Sequence, residues 1–379
     1  LLNAGVLFVR HLMDLRTVGL GFDTDSVLQV RLDWSRTGYA PPQRAVIYRQ
    51  LLDRVAAVAG VRSTTLAGMT PISGAAGSRF ITVPGFTEDA GARRRVSLND
   101  VGPKYFETLG TPFIAGRDFS MDDAGRARVA IVNQAMARYY FAGSDPIGRQ
   151  LTIDGQPQPL EIVGVVGDAK YWDLHETPPR TVYMNAFQGG PGGGLIVARL
   201  ARASVAADVQ RSIRDVAPTV PIAKVSTLAE QVDASILPER MIASLSALFG
   251  VAAAILVAMG LYGLLAYSVA RRVKEIGIRI AIGATRGDVI TMIVRRALGM
   301  VVAGLVVGVP IALWTRSYAT RVLGMVAATQ IDVPVTLPAN VGGPLAIAAV
   351  AMVAVALVAA YLPARRAARV DPLIALRTE

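Results

Sequence analysis

The chain has 379 residues, a formal net charge of +11 and 53% hydrophobic residues, with an isoelectric point near 10.2 and a mean hydropathy of +0.43. A soluble protein rarely combines such basicity with such apolarity, so the composition favours a membrane protein. The absence of cysteine excludes disulfides, thiolate metal sites and cysteine nucleophiles. Nucleic-acid binding is disfavoured because the basic residues flank apolar runs instead of a groove with interleaved aromatic residues.

The N-terminal run from Leu1 to Val9 is apolar but too short to cross a bilayer. A signal peptide is the competing interpretation, but the basic n-region and the small-residue cleavage site are missing. We therefore interpret residues 1–19 as the stub of a truncated first transmembrane helix and its junction.

Residues 20–238 have the patterning of a soluble α+β domain. VLQVRLDW alternates like a half-buried strand, QRAVIYRQLLDRVAAV has helical spacing and VRSTTLAG returns as a strand. The same order of strand, helix and strand recurs near the C-terminal end of this domain, in LIVARL, SVAADVQRSIRDVA and IAKVSTL. The sequence therefore predicts two βαβ-type units. Between them, about residues 71–188, the short strands FITVPGF, ARVAIVN, RQLTIDG and LEIVGVVGDA predict a β-rich insertion. The glycines of 189–194 predict a flexible link back to the second unit, because ordering so many glycines costs much entropy. A phosphate-binding loop is the alternative, but no Gly-Lys-Ser/Thr follows.

Residues 239–379 contain three uncharged runs that predict transmembrane helices, about residues 241–269, 297–315 and 344–362. Lys and Arg concentrate between the first two runs and after the third, so the positive-inside rule places the loop 271–296 and the C-terminal tail in the cytoplasm. The same rule places residues 316–343 and the domain 20–238 outside, with Trp314 and Tyr318 as interfacial anchors.

The loop 271–296 has the pattern of an amphipathic element parallel to the membrane. Val273, Ile276 and Ile280 recur at helical spacing, Gly283 interrupts them, and Thr285 is placed to cap a second short helix in which Val289, Ile290 and Ile293 share a face. Two interpretations fit: a lipid-surface helix with snorkelling arginines, or a lever that docks into a partner protein.

Catalytic chemistry has little support in the sequence. None of the four lysines lies in a Walker A pattern, so ATP hydrolysis by that mechanism is excluded. His11 and His175 lack the spacing of a metal site or triad, and we interpret Asp122, Asp123, Asp168 and Asp173 as solvated turn residues instead of acid/base pairs. The three predicted spans contain no charged residue that could serve a proton relay.

Helix packing is suggested by Gly304 and Gly308, which form a GxxxG spacing. This spacing permits close helix contact within a subunit or across a dimer.

Two cytoplasmic motifs, RRVKEIGIRIAIGATRGDV and the ending LPARRAARVDPLIALRTE, resemble the FtsX-like permease domain of the macrolide-exporter (MacB) type of ABC transporters. The upstream segments GFDTDSVLQVRL, DVGPKYFETLGTPFIAGRDFS, VAIVNQAMARYYF and DPIGRQLTI resemble that family's periplasmic core domain. The resemblance covers nearly the whole chain and fits the C-terminal half of a duplicated permease.

The resemblance implies an inner-membrane permease that binds no cofactor itself and depends on a partner ABC ATPase for ATP. The implied ATPase contacts are Arg272, Glu275, Ile276, Gly277, Arg279, Gly283, Ala284 and Arg286. It further implies a homodimer or pseudo-dimer of permease modules, an adaptor protein in the periplasm, and efflux of drugs, peptides, lipids or lipoproteins. The rival functions are a non-transporting regulator that activates an extracytoplasmic partner such as a cell-wall hydrolase, and a membrane-anchored enzyme.

Overall fold

The computed structural model describes residues 20–367, except 36, 75–76, 87–94, 157, 173, 175, 190–193 and 331–341. The predictions for the stub Leu1 to Val9, for His11, Asp173 and His175, for the glycines 190–193 and for the end of the tail lie outside these residues. The chain divides into two compact units, one within Val18–Leu237 and one from Pro238 onward.

The first unit contains two strand–helix–strand segments that interleave in one sheet. The first consists of β1 (Val27–Leu32), α1 (Pro41–Ala56) and β2 (Val61–Ala67). The second consists of β10 (Leu195–Leu200), α5 (Ala206–Val216) and β11 (Ile222–Thr227). The strand order is β11-β1-β10-β2 and every neighbour is antiparallel, because the parallel strands of each segment are separated by a strand of the other.

The core of this part forms where α1 and α5 meet the sheet. Tyr48, Leu51 and Val55 of α1 are fully buried and share a cluster with Val209 and Ile213 of α5. Apolar residues at three- and four-residue spacing give each helix one buried face, so the amphipathic pattern of the sequence is realised as packing on the sheet.

The insertion between these segments closes into a ring of six paired strands in the order β4-β3-β7-β8-β6-β9 and back to β4. Alternate residues of all six strands share one buried cluster, so the ring encloses its own core. The elements of the insertion are β3 (Gly77–Thr82), β4 (Arg95–Val101), α2 (Tyr105–Leu109), β5 (Phe113–Gly116), β6 (Val129–Asn133), α3 (Gln134–Phe141), β7 (Gln150–Ile153), β8 (Leu160–Val166), β9 (Thr181–Asn185) and α4 (Ala186–Gly189).

The second unit consists of helices. After α6 (Leu228–Ser235) of the first unit come α7 (Leu237–Arg271), α8 (Val273–Ala281), α9 (Arg286–Gln330) and α10 (Gly342–Ala367). Within the described residues, three helices are long and apolar enough to cross a membrane, over Arg240–Arg271, Arg286–Thr315 and Leu345–Arg366. Each exceeds the length needed for a hydrocarbon core of ~30 Å.

One predicted boundary in this unit is wrong. The short second helix expected after Thr285 is not separate, because it continues into the next span as the single helix α9. No residue between Val289 and Ala297 interrupts the helix, since Arg295 and Arg296 are good helix formers and the sequence there contains no proline.

Candidate functional site

The candidate site is the segment that links the first two long helices, and it is built around the short helix α8. Its N-terminal flank is Arg272, where φ of −116° breaks the continuity with α7. The N–H of Ile276 then donates to the carbonyl of Arg272 at 2.9 Å, which starts the new helix. The chain therefore turns sharply within one residue of the first span.

The C-terminus of α8 has a Schellman motif. Gly283 has φ of +107°, its N–H donates to Ile280 O at 3.0 Å, and the N–H of Ala284 donates to Arg279 O at 2.9 Å. These two bonds satisfy carbonyls that a helix end otherwise leaves open, and the left-handed conformation favours glycine at this position.

The N-terminus of α9 is capped two residues later. Thr285 Oγ1 accepts from the N–H of Asp288 at 3.3 Å, while the Asp288 carboxylate accepts from the Thr285 N–H at 2.9 Å and from its hydroxyl at 2.6 Å. This is a reciprocal capping box. Since one helix end and the next helix start are both satisfied within residues 283–288, the connection between α8 and α9 is fixed by local hydrogen bonds.

One apolar side chain of α8 belongs to a buried cluster shared with all three long helices. Ile276 is 3% exposed and belongs to a buried cluster with members from each of them. The partners are Leu265 of α7, Val289, Ile293 and Ala297 of α9, and Ala360 and Ala364 of α10. A displacement of α8 would therefore disturb the packing of this shared cluster.

The opposite face of α8 is open to solvent and carries both charged and apolar groups. Glu275 and Arg279 form an i,i+4 ion pair at 2.7 Å, and Arg279 Nη1 also lies 2.9 Å from Met292 Sδ. Ile278 is 47% exposed and Ile282 is 82% exposed. An apolar residue so exposed beside an ordered ion pair has the chemistry of a contact surface for another molecule.

The residues implied by the resemblance divide between these two faces. Ile276 and Gly277 are buried, Ala284 is half-buried, and the exposed members are Arg272, Glu275, Arg279, Gly283 and Arg286. The buried pair is inaccessible to a partner in this conformation and acts within the fold.

Sequence reasoning missed three residues of the segment. Asp288 completes the cap of Thr285, and its signal was the Thr-x-x-Asp spacing. Ile282 could not be predicted from helical spacing, because it lies directly before Gly283, where the helix has ended. Met292 could not be predicted as a site residue, because its contact with Arg279 joins positions thirteen residues apart in the sequence.

The glycines predicted for helix packing make no close helix contact within the described chain. A Cβ added at Gly304 or Gly308 would meet no atom within 4 Å. Both residues line an apolar cavity of about 350 Å³ between α7, α9 and α10, with Gly250 and Ala349 among its other walls. Contact of this face across a dimer stays a prediction.

Two of the acidic residues singled out in the sequence, Asp123 and Asp168, accept several hydrogen bonds within the first unit. Asp123 is 2% exposed, and its carboxylate accepts two hydrogen bonds from Arg117 and one from the Ser120 N–H. Asp168 accepts from Asn133, from the Ala135 N–H and from Arg138. The prediction of solvated turn residues is therefore wrong for Asp123, because an ion pair and a backbone donor compensate its burial. Among the described residues no cluster of three metal-ligating side chains occurs.

Comparison with known protein families gives two matches. Residues 12–216 match the model of the MacB-like periplasmic core domain, and residues 247–372 match the model of the FtsX-like permease C-terminal domain. Together the two matches cover both units of the structure.

Several curated proteins are similar to the chain. A macrolide export ATP-binding/permease protein MacB of Azoarcus sp. (strain BH72) is 27% identical over 312 residues, which are 76% of this chain and 43% of that protein. The pyoverdine export ATP-binding/permease protein PvdT of Pseudomonas aeruginosa is 26% identical, covering 72% of this chain and 41% of that protein. The uncharacterized ABC transporter permease YknZ of Bacillus subtilis is 27% identical, covering 75% and 70%. The chain thus spans less than half the length of the first two relatives.

Two solved structures align with part of the chain. The periplasmic region of MacB from Actinobacillus actinomycetemcomitans has a TM-score of 0.38 at 15% identity, covering 58% of this chain and 95% of that one. The extracellular domain of YknZ, described as a noncanonic ABC-type transporter from Gram-positive bacteria, has a TM-score of 0.34 at 16% identity, covering 52% and 98%.

Proposed function

Since the chain belongs to the MacB-type family of ABC transporter permeases, we propose that it transmits ATP-driven motion from a separate ATPase to a domain outside the cytoplasm. In this proposal the segment 271–296 lies in the cytoplasm, and the ATPase binds its exposed face. The domain of residues 20–238 lies outside and moves when the ATPase closes. A pair of permease modules binds two ATPase subunits, and ATP is used by the partner alone.

The observation that carries this proposal is the division of α8 into two faces. Ile282 and the Glu275–Arg279 pair are exposed to a partner, whereas Ile276 lies in a buried cluster that includes residues of all three long helices. Force applied to the exposed face therefore reaches each span through buried contacts, and coupling over a distance requires such contiguous packing.

Efflux is the activity that we propose for the complete machine. The names of two relatives describe export of macrolides and of pyoverdine. We extend from these names only the class of process, namely export of drugs, peptides, lipids or lipoproteins, with a periplasmic adaptor as a further partner. The three apolar helices and the family place the chain in a membrane, which we propose is the bacterial inner membrane.

A regulatory function is the second candidate, and one feature of the outer unit favours it. The short strand β5 pairs with β8 at one edge, and Phe113 and Ile114 are 38% and 51% exposed. An exposed apolar edge strand suits a protein partner. The two functions differ in what alters ATP turnover of the assembled complex: small exported molecules for efflux, or an extracytoplasmic protein for regulation.

The docking role of α8 is tested by replacing its most exposed apolar residue. We expect Ile282→Ser to reduce co-purification of the ATPase about tenfold or more, because a central apolar contact of an interface contributes about 2 kcal/mol. The matched control is Val46→Ser, since Val46 is 58% exposed on α1 of the outer unit. The readout is the ATPase-to-permease ratio after affinity purification from membranes.

Both variants are expected to reach the membrane in wild-type amounts, because neither side chain is buried. A wild-type ATPase ratio for Ile282→Ser, or an equal loss for Val46→Ser, would contradict the docking role.

A further inference from the structure

Pairs of arginines mark the same end of all three apolar helices. Arg271-Arg272 follow the first uncharged run, Arg295-Arg296 precede the second, and Arg365-Arg366 follow the third. The buried cluster around Ile276 brings these helix ends together. The six arginines therefore surround one small region at the boundary between apolar helix and polar loop.

A pocket lies within this region, between α7, α8 and α9. Its floor is apolar and includes Leu265, Val269 and Ile293, and Arg272 and Arg296 lie at its rim. The volume is about 40 Å³, which holds a few water-sized groups, since each needs roughly 10–15 Å³. The pocket is thus too small for a drug-sized molecule and large enough for a small anionic group.

The two rim arginines differ from Arg366, Arg271 and Arg279, each of which has a partner within the chain. Arg366 donates to the Tyr262 hydroxyl at 2.6 Å, Arg271 lies 5.6 Å from the centre of the Tyr267 ring, and Arg279 pairs with Glu275. Within the described part of the chain, Arg272 and Arg296 form no ion pair, and no acidic residue lines the pocket. Two converging cations without an anion indicate a site for one.

We propose that this pocket binds the phosphate of an anionic phospholipid from the cytoplasmic leaflet. The phosphate contacts Arg272 and Arg296, and an acyl chain lies along the apolar surface of α7 and α9 above them. A lipid fits better than a free anion because the floor is apolar and the site lies where the spans end, which is the depth of lipid phosphates. The inference rests on the proposed membrane orientation and goes beyond the proposed coupling.

The site has a consequence for α8, because Arg272 is the residue at which the chain turns between α7 and α8. A lipid phosphate bound there fixes the start of α8, whereas the exposed Ile282 directly follows its C-terminal end. The lipid and the ATPase would then act at the two ends of α8.

The experiment compares lipid binding by the full chain and two double variants. The chain is purified in detergent and titrated with phosphatidylglycerol or phosphatidylcholine, and bound lipid is counted by native mass spectrometry. We expect wild type to prefer phosphatidylglycerol and Arg272→Gln/Arg296→Gln to bind it about tenfold more weakly, given the attraction of each arginine for anionic lipid. The control Arg295→Gln/Arg365→Gln removes the same charge outside the pocket and is expected to stay within about twofold of wild type.

Three results would overturn the proposal. Equal weakening of both double variants would mean that only general surface charge attracts the lipid. Displacement of phosphatidylglycerol by millimolar inorganic phosphate would assign the pocket to a free anion. Unchanged lipid preference together with lost ATPase co-purification in the pocket variant would assign Arg272 and Arg296 to the ATPase. Because the lipid titration contains no ATPase, failure of the coupling proposal leaves its outcome unaffected.

Discussion

At the scale of single residues, Asp123 of the first unit shows how a buried charge is stabilised. Burial raises the pKa of this carboxyl, but hydrogen bonds from Arg117 and from the Ser120 N–H lower it by more, so the pKa lies below its ordinary value. Tyr48 shows the opposite case. Burial raises the pKa of its phenol to about 12, so it stays neutral and accepts a 2.6 Å hydrogen bond from Trp34 Nε1.

Replacement of Asp123 is expected to destabilise the first unit in a pH-dependent way. Asp123→Asn should cost about 2 kcal/mol at pH 7, because charge-assisted hydrogen bonds to Arg117 are weakened. The carboxyl of Asp123 has a lower pKa in the folded protein than in the unfolded chain, where it is about 4. Its ionised form therefore stabilises the folded protein above about pH 4, and this contribution is lost as the pH falls through the folded-state pKa. The difference between wild type and variant should therefore shrink as the pH falls below about 4.

The measurement is the melting temperature of the full chain in detergent as a function of pH, followed by tryptophan fluorescence. Asp122→Asn serves as control, since Asp122 is exposed and lies on the same 3₁₀ turn, Met121–Gly125. If the two variants melt alike at pH 7, the ion pair with Arg117 contributes nothing to stability.

At the scale of elements, two glycines at the joint between α8 and α9 permit a prediction. Gly283 has φ of +107° and no atom within 4 Å of the place that a Cβ would take, whereas Gly287 lies in the first turn of α9 without a left-handed backbone. We expect Gly283→Ala to destabilise the joint by about 1 kcal/mol through backbone strain alone. Gly287→Ala should leave stability unchanged or raise it, because alanine is the better helix former.

Both effects are measurable as local hydrogen exchange of the amides of residues 276–290 in the purified protein. Faster exchange in Gly283→Ala and slower or unchanged exchange in Gly287→Ala is the expected pattern. Equal exchange in the two variants would show that the left-handed joint does not hold α8 in place.

The same elements show what the sequence could and could not predict. Long uncharged runs marked the three helices that are long and apolar enough to cross a membrane, since length and composition alone define such helices. Alternation in VLQVRLDW marked β1, although five of the six residues of this strand are buried. Alternation did not mark β9, because all five residues of this strand are buried and a fully buried strand shows no alternation.

The remaining features depend on partners distant in sequence. The closing pair of the strand ring, β4 with β9, joins residues more than eighty positions apart, and no local pattern predicts such a pairing. In the segment 271–296 the helical spacing of Val273, Ile276 and Ile280 could be predicted. Which of these three is fully buried depends on α7, α9 and α10, so only the structure shows that Ile276 faces inward and Ile282 outward.

At the scale of the whole molecule, the chain joins two units of different composition. The α/β unit carries its own two cores, and the helical unit buries a small cluster around Ile276 while most of its apolar surface stays exposed. Such exposed apolar surface is expected for helices that face lipid. The proposed function requires the outer unit and the charged segment to lie on opposite sides of the membrane, with Ile282 facing the cytoplasm.

That placement is tested most directly by cysteine labelling, because the chain contains no cysteine of its own. Lys274→Cys and Val46→Cys introduce one thiol each at exposed positions of α8 and α1. Intact cells are treated with a membrane-impermeant maleimide before and after permeabilisation of the inner membrane. We predict that Val46→Cys is labelled in both states and Lys274→Cys only after permeabilisation; labelling of Lys274→Cys in intact cells would contradict the account.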